Sequence, residues 1–325
     1  MTAGAPEDSD AADLVDRVAD GALGWLDARR DRFRLPADIA EPGVDVDRTL
    51  KPLGELAELA GLIASVHPRR ELRTRAESLF AFAWAQTADG EVFAELLRAE
   101  PHATYPVEIY GVFARAGLRH PDTDALVDAL TRPLSWRVPR SDPTRSLGVL
   151  NAEDRTRGGA SQAWEDDFAA DYARTWLGLL PEPWALDRRG AYGLTHDVFH
   201  VTDWGRHRDR LPAEAAGYLR LWLPTWLDCW LDERSWDLAG ELLAVAACVD
   251  AVDAAGSVDI AAAWRRLAAA QDADGGLPET GTEPRPADPA ADFLACYHST
   301  LVAAFAATLA RTAPVPALVA TEAAR

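Results

Sequence analysis

Apolar residues recur at three- and four-residue intervals through most of this chain, and alternating β-branched runs are scarce, so it has helices to pack and almost no strands. The stripe Leu50, Leu53, Leu56, Leu59 and Leu62 shows the period, with Asp47 placed to cap that helix. The same spacing predicts helices over 12–30, 47–66, 71–86, 90–99, 107–116 and 123–130, then over 161–180, 192–204, 212–231, 235–252, 259–271 and 292–311. Pro, Gly and Asp punctuate the joints. Pro224, among Trp222, Trp226 and Trp230, predicts a kink or a break there.

Such a succession of short-linked helices predicts an all-α, single-domain fold, an α/α barrel (toroid) of about six helical hairpins. Residues 1–10 are expected to be a disordered N-terminus, 11–132 an N-terminal helical half, and 161–312 a C-terminal helical half carrying the site. Between the halves, 133–160 is rich in Arg, Asp, Pro and Gly and reads as a loop or lid, and 313–325 reads as a tail.

A formal charge of −19 argues against nucleic acid as a partner, because phosphates are held by clustered Lys and Arg. It also disfavours an anionic membrane surface. Lys51 is the only lysine and has no glycine-rich context, which disfavours Schiff-base and pyridoxal chemistry and phosphate-binding loops. Cys229, Cys248 and Cys296 are widely spaced and form no disulfide framework. The N-terminal residues are polar and acidic, unlike a signal peptide, and no run of about eighteen apolar residues is present. A cytoplasmic protein without a membrane span is the expectation.

The densest polar cluster runs from Tyr192 to Gly205. On a continuous helix His196, His200 and Asp203 fall at i, i+4 and i+7 and share one face. Two imidazoles one turn apart suit a metal ion, with the carboxylate as third ligand or as orienter of a ligand. The same face suits a general base with its carboxylate partner, and Asp197 stands beside His196. Structural histidines bonded to Asp203 and to carbonyls are the plain alternative. Asp197 occupies the place of Glu in H-E-x-x-H, so a zinc protease is not supported. A second cluster, Asp292 to Thr300, places Cys296, Tyr297, His298 and Ser299 in a row at the expected start of a late helix.

These last residues, with Tyr297-His298-Ser299-Thr300 before an apolar helix, resemble the Tyr-His-Thr segment of protein prenyltransferase β-subunits. Gln271-Asp-Ala-Asp274-Gly275-Gly276 resembles the Q-x-x-D-G-G turn of the same α/α-toroid superfamily, which includes the squalene and hopene cyclases. The resemblance implies a toroid whose Gln and Asp side chains tie consecutive helices together. It also implies a zinc-ligand role for His298, with Asp228 or Cys229 as a doubtful partner. Asp45-Val-Asp47-Arg48 departs from the acid motif of the protonating cyclases at its last position.

The reading that follows is an enzyme with catalytic residues His196, Asp197, His200, Asp203 and Tyr297. His196, His200 and His298 are its candidate metal ligands, with zinc ahead of magnesium. Its substrate would be an apolar small molecule or peptide undergoing cyclisation or group transfer in specialised metabolism. Of the second-half tryptophans from Trp164 to Trp236 most are expected in the core, with two or three facing a pocket. One competing reading is a class I terpene synthase-like enzyme, in which Glu165, Asp166, Asp167 and Asp171 would hold magnesium. A non-catalytic helical binding scaffold is another, and a carbohydrate-active α/α barrel a third.

Overall fold

In a computed structural model of the chain, the described residues are 6–312 apart from 42, 139, 159–161, 250–259 and 282–284. The expected tail over 313–325 therefore lies outside them, while Pro6–Asp10, expected to be disordered, is helical. Fourteen α-helices account for most of the described residues. They are α1 (Pro6–Ala28), α2 (Leu50–Val66), α3 (Arg70–Gln86), α4 (Glu91–Ala99), α5 (Tyr105–Arg115), α6 (Pro121–Thr131) and α7 (Pro143–Arg157). The second half contributes α8 (Gln162–Tyr172), α9 (Trp176–Leu179), α10 (Arg188–Val201), α11 (Ala213–Asp232), α12 (Trp236–Cys248), α13 (Ile260–Ala270) and α14 (Pro289–Thr312). An isolated bridge between Ser235 and Thr280 is the one β-type pairing among the described residues. The fold is all-α.

Six helices pack in a closed order: α2 on α5, α5 on α7, α7 on α10, α10 on α12, α12 on α14, and α14 back on α2. The other helices lie against these, α1 on α14, α3 on α2, α8 on α7, and both α11 and α13 on α12. Ring helices must be apolar on several sides, and α12 is buried along its whole length. α14 is long and apolar enough to cross a membrane by length and composition, yet most of it is buried against α1, α2 and α12.

Several sequence expectations are corrected. The segment read as a loop or lid over 133–160 contains α7, a ring helix whose start is set by Asp142, its side chain accepting from the Arg145 N–H, with Pro143 following. The helix expected over 161–180 is two, α8 and α9. Pro224 does not break α11, which runs through it. The polar cluster around Tyr297 lies inside α14, two turns beyond its start at Pro289. Asp47 is not the cap of α2, for Thr49 holds that position without a side-chain bond.

The turn after α13 joins neighbouring helices through its Gln and Asp side chains. Gln271 donates through Nε2 to the carbonyls of Val18 and Gly275, and Asp274 takes Arg29 at 2.7 Å and Arg285 at 2.8 Å, so one turn ties α1, α13 and α14. Gly275 sits at φ +91°, and a Cβ there would overlap the Gly21 carbonyl on α1. Gly43 also has a positive φ but faces open space. Gly275→Ala is therefore expected to lower unfolding free energy by more than about 3 kcal/mol, against about 1 kcal/mol for Gly43→Ala, as read from urea midpoints. Equal losses would show that close approach to α1 is not what the turn requires.

Candidate functional site

All six ring helices line one cavity of about 1110 Å³. Lys51, Glu55 and Glu58 come from α2, Tyr105 and Glu108 from α5, and Arg145, Asn151 and Arg155 from α7. Tyr192, His196, Phe199 and His200 line it from α10, Glu241 from α12, and His298 and Phe305 from α14. A smaller hollow of about 320 Å³ is lined by Leu62 and Val66 of α2 and Leu309 and Thr312 of α14, near the other ends of those helices. α2 and α14 thus run the same way, with their earlier turns on the cavity and their last turns on the smaller hollow.

His298 lies between two carboxylates. Its Nδ1 is 3.2 Å from Glu55 Oε2 and its Nε2 is 3.4 Å from Glu241 Oε1. Burial alone would favour the neutral ring, but Glu55 and Glu241 outweigh it and hold the histidine well above its ordinary pKa. Glu241 is buried in the apolar α12, which would raise its pKa. The charges of His196 and His298, with hydrogen bonds from His298 and Thr195, hold it below the usual glutamate value instead. Thr195 Oγ1 donates to Glu241 Oε2 at 2.5 Å, and His196 Nδ1 lies 3.8 Å from the same oxygen. His196 Nδ1 is 2.8 Å from the Tyr192 carbonyl. A carbonyl only accepts, so Nδ1 carries the hydrogen and Nε2 is left for other chemistry.

His200, one turn further along α10, is held by its surroundings rather than by a partner. Burial, then the charges of His196 and Arg155, push its pKa down to about 3, so the ring is neutral at ordinary pH. It packs over Gly148, where a Cβ would come within 3.0 Å of the imidazole and 3.6 Å of Glu108 Oε2. Burial raises the pKa of Glu108, and Arg145 opposes that only in part. Beside the cavity Phe199 and Trp204 stack at 5.2 Å, and Phe305 meets both edge-on with ring centroids 5.2 and 5.7 Å away.

The helical face expected from the sequence is broken at its last member. α10 ends at Val201, and Asp203 sits beyond it at φ 47° in a turn that Gly205 completes. Its carboxylate bonds Arg115 at 2.6 Å and Arg155 at 2.6 Å, and Glu58 bonds Arg155 at 2.5 Å, Arg115 at 2.9 Å and Arg206 at 3.3 Å. Burial would raise the pKa of Asp203, but Arg155, Arg115 and Arg206 bring it far below the usual range. Asp203 is therefore part of a buried ion cluster and no partner of His196.

Asp197 points away from the cavity. It accepts from Thr144 Oγ1 at 2.7 Å and from the Leu177 N–H at 3.1 Å, joining α7, α9 and α10, and burial pushes its pKa up to about 6. Tyr297 is buried against Phe33 and Phe293 and is not among the cavity residues. His196, His200 and His298 do not converge on a metal. Both nitrogens of His298 face carboxylates, and no group of three His, Cys, Asp or Glu suited to a metal occurs among the described residues. The acidic run of α8 is outside the cavity, with Asp167 on Arg137 and Asp171 accepting from Ser146. Trp176 and Trp204 do line it, as the expected pair of pocket tryptophans. Missing from the sequence reading were Glu55, Glu58, Glu108 and Glu241. The signal for Glu241 was a lone carboxylate in the run Leu238 to Cys248.

An all-helical chain with a ring-enclosed cavity walled by histidines and glutamates is the class of protein this geometry defines. Over residues 19–308 the chain matches a family described as "Domain of unknown function (DUF6895)", and it belongs to that family. None of the curated proteins and none of the solved structures matches it.

Removing one carboxylate from the ion cluster leaves three guanidiniums facing Asp203 alone. Glu58→Gln is expected to lower stability by about 3–5 kcal/mol, since Arg155 is deeply buried. Glu58 has its pKa lowered on folding, against the pull of burial, by Arg155, Arg115 and Arg206. Its contribution is present above the ordinary glutamate value and lost as pH falls below it, so the acid limb of a stability-against-pH curve is shallower in the variant. An unchanged acid limb would show that this cluster does not govern acid unfolding.

Proposed function

We propose that the protein is an enzyme of α/α-toroid type that moves protons within the ring cavity, acting on a largely apolar small molecule. Cyclisation or group transfer is the reaction class. The observation that carries this reading is Glu241, a buried carboxylate that meets His298 on one side and lies beside His196 on the other, at the wall of a large cavity. The closed packing order of α2, α5, α7, α10, α12 and α14 supports the toroid.

In this reading His196 Nε2 is the general base. The proton it accepts makes an imidazolium whose Nδ1–H stays on the Tyr192 carbonyl, and the Glu241 carboxylate stabilises that charge. His298 has both nitrogens occupied by carboxylates, so it fixes Glu241 and is a positioning residue. Glu108, on the α5 wall and with its pKa raised by burial, is the proton donor. Neutral His200 offers the substrate a hydrogen bond without competing for the proton.

Glycoside chemistry is a second reading, favoured by the gathering of Glu55, Glu58, Glu108 and Glu241 in one cavity. It stands behind the first because Glu55, Glu58 and Glu241 each have an Arg or His within 3.4 Å, which leaves Glu108 without a second carboxylate to work with.

Incubation with a metabolite extract of the cells that encode the protein, followed by untargeted mass spectrometry, is expected to show a component consumed by the wild type. His196→Ala and Glu241→Gln should leave that component in place. Consumption unchanged in both variants, or none by any protein, would overturn the reading. The raised pKa of His298 adds a stability signature. Its ion pairs are fully present below the ordinary histidine value and are lost as pH rises through the higher folded value. Thermal midpoints should therefore fall on the alkaline side in the wild type, and the fall should begin at lower pH in Glu241→Gln.

A further inference from the structure

The charges around the cavity do not all cancel. Glu58 is paired with Arg155, Arg115 and Arg206, Glu108 with Arg145, and Glu55 and Glu241 share the one cation His298. Asp142 and Asp187 are occupied as caps, accepting from the N–H groups of Arg145 and Gly190. Asp47 has no such match. The two cavity-lining cations outside these pairings are Lys51 at the start of α2 and Arg189 at the start of α10, both exposed. Neither makes an ion pair among the described residues, although Glu279 feels the Lys51 charge. In the packing order α2–α5–α7–α10 these helices stand across the ring from one another, so the two cations flank the mouth from opposite sides.

Deeper in, the wall is aromatic. Phe199, Trp204 and Phe305 form one packed group. Beside them His200 presents a neutral imidazole whose ring has no hydrogen-bonding partner among the described residues, while its own carbonyl is held by Asn151 at 2.8 Å. A half-buried imidazole on a cavity wall with no protein partner for its ring is open to a ligand or water. Desolvated aromatic surface calls for an apolar body.

We infer that the cavity takes a small organic anion, its apolar body against Phe199, Trp204 and Phe305 and its acidic group at the mouth, held from the two sides by Lys51 and Arg189. This deepens the reading of the cavity as the reaction chamber and rests on it. An acidic group at the mouth leaves the middle of the molecule opposite His196, where the proton transfer is assigned. Lys51 thereby acquires a role as a charge, and no covalent bond to it is involved.

Two fluorescent probes with the same aromatic body separate charge from apolar contact: anilinonaphthalene sulfonate, an anion, and phenylnaphthylamine, its uncharged counterpart. Equilibrium titration is expected to give one bound sulfonate per chain, held more tightly than the neutral probe. Lys51→Ala and Arg189→Ala should each weaken the sulfonate by roughly three- to fivefold, as fits exposed charges, and leave the neutral probe unchanged. Both residues are exposed, so these variants fold. Trp184→Ser removes an aromatic ring that is 80% exposed outside the cavity and should change neither probe. Equal affinity for the two probes, sulfonate binding indifferent to both cations, or loss of binding in Trp184→Ser would each overturn the inference. Because binding alone is read, that failure is distinguishable from a failure of the proton-transfer assignment, which shows in substrate consumption by His196→Ala.

Discussion

A carboxylate placed in the middle of an apolar helix needs a cation from a neighbouring element, and that need connects α12 to the rest of the ring. Every residue of α12 is buried, so Glu241 has no route to bulk water along its own helix. It meets His298 of α14 and Thr195 of α10, the two ring neighbours of α12. The desolvation of one ion is offset only when its partner is close and the remaining lone pairs are bonded. Here both oxygens are engaged, Oε1 by His298 and Oε2 by Thr195. The same contacts that make the ring compatible with a buried charge also set two histidines around one carboxylate at the cavity wall.

A second cluster does for the far end of α10 what Glu241 does for its middle. Arg155 joins Glu58 of α2 to Asp203 beyond α10, and Arg115 of α5 spans the same two acids. Four parts of the ring are thereby held by five charged side chains. Removing an acid from such a network costs more than the pair contributes, because the remaining guanidinium stays buried. The aromatic group of Phe199, Trp204 and Phe305 adds apolar contact between α10 and α14 close by. Together they keep α10, which carries His196 and His200, from shifting relative to α14, which carries His298.

Helical periodicity was legible over long stripes: the bounds expected for α3 and α11 lie within one residue of those observed, and the C-terminal bound of α2 coincides. α7 was hidden because its residues are polar and its first turn holds a proline. Those features read as a loop unless Asp142-Pro143 is seen as a capped helix start. On α10 the i, i+4 spacing brought His196 and His200 to the cavity, whereas the i+7 step to Asp203 required two more helical residues, and the chain turns there instead, at Asp203–Gly205. The glutamates were missed for a different reason. Partners separated by 243 residues for His298 and Glu55, or by 97 for Glu58 and Arg155, are set by ring closure and not by any local pattern. A lone acid inside an apolar run, as at Glu241, was the readable trace of one of them.

The three histidines of the cavity differ in what surrounds them more than in their own chemistry. His298 between two carboxylates is fixed as a cation, and His200 among aromatic rings beside Arg155 is fixed as neutral. Only His196 combines a donor-committed Nδ1 with an Nε2 outside these protein contacts and a carboxylate near enough to stabilise added charge. A proton arriving at this wall therefore has one imidazole that can take it without breaking an ion pair or charging a desolvated ring. That asymmetry follows from which helices are neighbours in the ring: α10 stands between α7, whose Gly148 makes room for His200, and α12, whose Glu241 faces His196. The packing order, more than the His-x-x-x-His spacing, decides which of the two histidines on α10 lies beside a buried carboxylate.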